Sequence, residues 1–157
     1  MNKFFAGALS GCAATVPMTA TMLLLHRTLR WHEQRYPLPP EDITQELADR
    51  AEIGQHLSQG QHQVATWVSH FGFGIVAGAI YAPLTERTEA SPTLKGAAFG
   101  LLVWGMSYLG LLPALEILDQ PKEQPARPNW LMVIAHLVWG ASLGVLADRL
   151  AEQEKTS

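Results

Sequence analysis

"VATWVSHFGFGIVAGAIYAPL", residues Val64 to Leu84, runs for 21 residues without an Asp, Glu, Lys or Arg. A helix advances about 1.5 Å per residue, so a run of this length suits a crossing of the roughly 30 Å hydrocarbon core of a bilayer. Within it His70, Gly74 and Gly78 recur at every fourth position, which places them on one helix face. Three further stretches share the character of the first. Phe4 to Leu25 has 22 residues, Gly96 to Leu115 has 20, and Trp130 to Ala147 has 18, all without formal charge. All 11 Lys/Arg and all 14 Asp/Glu fall outside these four windows. Helices of a soluble bundle carry a polar stripe, and these carry none. The expected fold is therefore an all-α membrane protein, a bundle of four transmembrane helices in a single 157-residue domain.

The segments between the spans are where the charge lies. The first loop, His26 to Gln63, is the long one and contains "YPLPPEDITQEL". Pro39 and Pro40 suit the first turn of a helix, and Glu41 and Asp42 complement its positive end. Ile43, Leu47, Ala51 and Gly54 follow at helical spacing, opposite an acidic face of Glu46, Asp49 and Glu52. These features predict an amphipathic extramembrane helix over 41–57. Its acidic face is wrong for anionic lipid, so it is expected to cap the bundle, to meet a protein partner, or to lie solvated at the surface. The second loop is short and polar. The third, Asp119 to Asn129, holds three prolines and is expected to be extended, with the third span breaking at Pro113. "LSGC" at Leu9 to Cys12 resembles a lipoprotein cleavage site, but the apolar run continues past the cysteine, so the first span is expected to be retained. Cys12 is alone, and no intrachain disulfide is possible. The cations divide five to six between the two sides of a four-span bundle, so the positive-inside bias sets no orientation.

The pattern of the opening stretch returns as "HLVWGASLG", His136 to Gly144. The second and fourth spans both read His-x3-Gly-x3-Gly, while the first and third carry Gly7-x3-Gly11 and Gly96-x3-Gly100. The chain thus reads as two hairpins of one pattern, a possible parallel duplication. In lipid, helices associate through close packing over small residues. Gly7 and Gly11 are expected to meet Gly74 and Gly78, and Gly96 and Gly100 to meet Gly140 and Gly144, pinching each hairpin in the half nearest the chain termini. His70 and His136 fall in the other half, each six residues into its span. Thr19 and Tyr108 come to matching depth from the first and third spans.

An imidazole inside a membrane needs a partner. One reading makes both histidines neutral near pH 7 and hydrogen-bonded to Thr19, Ser107 or Tyr108. A second makes them a proton-responsive pair. A third is a bis-histidine haem b site, admitted by the glycines beyond each ring. A metal alone lacks a third ligand within the spans. No phosphate loop, CxxC or nucleophile–base pair is present, and a net charge of −3 with an acidic loop disfavours nucleic acid. The expectation is a non-enzymatic protein with no required cofactor, whose partners are the bilayer and either another membrane protein or its own copies.

"GALSGCAATVPMTATMLLLHR", followed by "RYPLPPEDITQEL", resembles the YagU-like group of small uncharacterised bacterial inner-membrane proteins. The likeness covers the first third of the chain by residues and the remaining spans by pattern. It implies a multi-pass protein of a bacterial inner membrane. One member of the group is associated with acid resistance, so it also implies an accessory, stress-linked role. It supplies no catalytic residues.

Overall fold

A computed structural model describes residues 2–29, 37–117 and 129–156, with side chains up to residue 153. The expectations for Asp119 to Pro128 lie outside these residues. Helix α1 (Lys3–His26) is followed by α2 (Pro39–Arg50), α3 (Gln59–Thr85) and α4 (Pro92–Gly105). A π-helical stretch (Met106–Leu111), a short α5 (Leu112–Ala114) and α6 (Asn129–Thr156) complete the chain. No strand occurs among the described residues. Four helical segments are long and apolar enough to cross a membrane: Lys3–His26, Gln59–Thr85, Pro92–Ala114 and Asn129–Gln153. The protein is an all-helical, multi-pass membrane protein.

The helix ends follow from local chemistry. Asn2 Oδ1 accepts from the Phe4 amide at 3.0 Å, opening α1. Ser58 and Gln61 form a reciprocal capping box that starts α3 five residues before the first apolar residue of the span. Ser91 caps α4, and Pro92 fills the first position, where a missing N–H costs nothing. The first-loop helix is shorter than expected. It begins at Pro39 but ends at Arg50, and residues 54–56 form a separate 3₁₀ turn. Glu52 takes a positive φ of 58°; its amide bonds Asp49 O and the Ile53 amide bonds Ala48 O. That is a Schellman closure, which the helical spacing of Ala51 and Gly54 does not register.

The third span also departs from expectation. Its helix passes through Pro113 and ends at Ala114, where Glu116 repeats the positive φ (55°) and the Schellman bonds to Pro113 O and Leu112 O. The proline acts upstream instead. It has no N–H for the Leu109 carbonyl and its ring crowds that group, and the widened π register from Met106 to Leu111 accommodates both.

Helices α1 and α6 pack against each other at the centre, with α3 against α1 and α4 against α6. Helices α3 and α4 barely touch, and α2 lies against α3. The core between them holds Met18, Met22, Tyr81, Phe99, Trp139 and Leu143. Phe99 meets Tyr81 at 5.2 Å between ring centroids and Trp139 at 6.1 Å. Outward-facing Phe4, Val16, Leu24, Val76 and Leu94 are more than half exposed, an apolar jacket of the kind lipid covers.

The glycines lie backbone to backbone. A methyl group on Gly7 would strike the Gly78 carbonyl oxygen, and one on Gly11 the Gly74 carbonyl oxygen. In the other hairpin, Gly96 faces the Gly140 carbonyl and Gly100 that of His136, while Gly144 abuts Pro92 O. The two hairpins are thus built alike but differ in register: by the repeat, Gly100 corresponds to Gly11, yet it faces His136 where Gly11 faces Gly74. Beyond the glycines, at the end bearing both termini, Lys3 pairs with Glu86, and Lys95 pairs with Asp148 at 3.6 Å. The Lys3 ammonium holds the Glu86 carboxyl below the usual carboxylate range; the pair is fully exposed, so screening keeps its contribution small.

Candidate functional site

Where the glycines end, the helices part. At the long-loop end, a cavity of about 350 Å³ lies between α3 and α4, floored by α1 and α6 and roofed by α2. Its size is within the range of small-molecule pockets. The walls are almost wholly apolar: Met18, Phe73, Val103, Leu112, Met132 and Trp139 among them. Phe73 and Leu111 are 51% and 54% exposed at its rim. The cavity is partly open, and α3 and α4 touch each other little.

His70 and His136 both line this chamber. His136 is buried on α6, and His70 is half-buried on α3. His136 Nδ1 stands 2.7 Å from the Met132 carbonyl, one turn back in its own helix. A carbonyl only accepts, so Nδ1 carries the proton and the neutral ring presents a bare Nε2. Tyr108 meets the His136 ring edge-on, 5.9 Å between centroids and 85° between planes, and Trp104 stacks on Tyr108 at 6.4 Å. His70 packs edge-on against Phe71. Its Nε2 is buried and has no hydrogen-bond partner among the described residues.

The hydrogen-bond partners expected from depth are not the ones found. Thr19 does not line the chamber: its hydroxyl donates to Thr15 O at 2.8 Å, just as Thr15 donates to Gly11 O. Hydroxyls one turn from a carbonyl in their own helix find it first. Tyr108 does reach His136, but as a ring. The glycines beyond the histidines are likewise filled. Gly74 meets Thr15, Gly78 meets Gly7, and Gly140 meets Gly96 and Gly100. Helix backbones occupy the space that the haem reading asked of them. No group of three His, Cys, Asp or Glu residues suited to a metal ion occurs among the described residues.

The roof is fixed by residues the span pattern does not contain. Thr44 on α2 and Ser69 on α3 are 2.9 Å apart, oxygen to oxygen. Arg50, at the last turn of α2, donates to Leu115 O at 2.7 Å and to Glu116 O at 2.8 Å, while Glu46 one turn back accepts from its Nε. One guanidinium therefore joins the Schellman end of α2 to the Schellman end of the third span, satisfying carbonyls that a helix terminus leaves free. Acidic residues, which signal the exposed face of α2, do not announce this contact, because its acceptors are backbone.

No curated protein and no solved structure matches the chain. A family does, over residues 13–145, from within α1 to within α6, and so takes in the chamber, its roof and both histidines. The YagU-like proteins belong to the same family. The chain is a member of the family described as protein of unknown function DUF1440.

Proposed function

We propose that this is a non-enzymatic accessory protein of a bacterial inner membrane that receives a small membrane-dissolved molecule in the chamber between α3 and α4. The observation that carries this reading is the contrast between the two halves of the bundle. One half is held backbone to backbone by glycines, the GxxxG contact by which helices associate in lipid. The other half stands open around a largely apolar chamber of about 350 Å³. A bundle that served only as a scaffold would gain packing by closing it. Helix α2 supplies a roof and, with its outward carboxylates, a surface for a membrane-protein partner or a second copy.

The test is to fill the chamber. Leu112→Trp and Val103→Phe place bulk where the guest would lie, away from the glycine contacts. Native mass spectrometry from mild detergent should find lipid-soluble small molecules carried by the wild type and lost from both variants. Equal cargo in all three would sink the reading.

A second reading is favoured by one observation, the unpartnered Nε2 of His70. Acid that charges either imidazole puts a cation among apolar walls, where its hydration is not replaced. The long-loop half would loosen while the glycine half held, a mechanism for a stress-linked role. Replacing both histidines by Gln and comparing unfolding in detergent at pH 5 and pH 7.5 checks it. A pH dependence equal to that of the wild type would reduce the histidines to structural groups.

A further inference from the structure

We infer that the guest of this chamber is an amphiphile whose head is a hydroxylated aromatic ring, a hydroquinone on an apolar tail being the simplest case. This deepens the reading of a ligand chamber and rests on it. Three features set the chemistry. First, the chamber's polar points include two imidazoles on different helices, His70 of α3 and His136 of α6. With Nδ1 bonded to Met132 O, His136 turns an acceptor nitrogen away from its helix, and His70 Nε2 is buried without a partner. An unpaired nitrogen in an apolar wall is unfavourable until something bonds it, and a hydroxyl, which donates and accepts, suits the bare Nε2 of His136 and either tautomer of His70.

Second, aromatic rings border the acceptors: Tyr108 perpendicular to His136, with Phe73 and Trp139 in the walls. Flat rings pack edge-to-face or offset against such surfaces, which a saturated alcohol does not exploit. Third, Phe73 on α3 and Leu111 on the third span both line the chamber and are half exposed, and the tail of the proposed guest leaves between them. An acyl chain of a phospholipid would fill the apolar volume but offer neither Nε2 a hydrogen bond. A ring with hydroxyls at opposite ends can donate to His136 Nε2 on one side and donate to or accept from His70 Nε2 on the other.

The experiment compares two probes on the full-length protein in detergent: decylhydroquinone and its di-O-methyl ether, equal in ring and tail but without donors. Competition in native mass spectrometry should show the hydroquinone preferred by about tenfold or more, the discrimination expected when buried acceptors are left unpaired by the wrong ligand. The preference should fall in His136→Phe and vanish in the double variant His70→Leu, His136→Phe. Equal binding of the two probes to the wild type would overturn the inference, as would a preference that survives in the double variant. If both probes bind equally and Leu112→Trp excludes both, the ligand chamber stands and only the head-group assignment fails. If neither binds the wild type, both fail. Should the histidine variants not fold, the wild-type comparison alone decides.

Discussion

A glycine in this bundle is worth what lies over its α-carbon. Gly11 and Gly78 sit against carbonyls and α-carbons of a facing helix, whereas a methyl group on Gly105 or Gly110 would meet nothing within 4 Å. Backbone cannot swing aside as a side chain can. Gly11→Leu is therefore expected to separate α1 from α3 and to destabilise the protein by about 1–3 kcal/mol or more, the scale of overpacking. Gly110→Leu should leave stability nearly unchanged. Thermal unfolding in one detergent checks both, and similar midpoints for the two would contradict the contact. The histidines show the limit of reading single residues from spacing. Both line the chamber, and each position was legible as the polar exception in an apolar run. Their partners were not. Thr19 was an expected partner by depth, yet its hydroxyl bonds Thr15 O within its own helix, a competitor that helical threonines generally carry and that depth alone does not weigh.

Among the elements, the spans could be read in advance because exclusion of charge is a long, additive signal. Registers could not. A glycine every fourth residue matches itself after a slip of one turn, so the spacing leaves open which glycine faces which. The one-turn difference between the two hairpins is therefore not legible in their common pattern. The end of α2 was hidden for a different cause: glutamate is an uncommon residue for a left-handed position, and both Glu52 and Glu116 occupy one. Arg50 spans these two ends. Arg50→Ala should release the roof at a cost of about 1 kcal/mol, the ordinary scale for hydrogen bonds at an exposed site. Faster amide exchange along Pro39–Arg50, with α1 and α6 unaltered, is the expected readout. Arg50→Lys should not restore protection, since an ammonium lacks the planar fork that reaches two carbonyls at once. Full rescue by lysine would show that charge alone holds the roof.

For the molecule as a whole, four spans return the chain to the side from which it started. The ion pairs Lys3–Glu86 and Lys95–Asp148 gather the start of α1, the residue after α3, the first turn of α4 and the later part of α6 at one end of the bundle. Reporter fusions at Lys3 and at Ser157 are expected to report the same compartment; opposite compartments would refute the four-span topology. The position of the chamber between α3 and α4 has a consequence for this arrangement. The chamber's lining begins at Gly74 and Thr15 and runs to the α2 end of the bundle, so a guest that enters between α3 and α4, as proposed, is drawn from a single leaflet. On that proposal the protein is asymmetric with respect to lipid supply, and inverting its topology would change which pool of molecules it samples without altering one contact inside it.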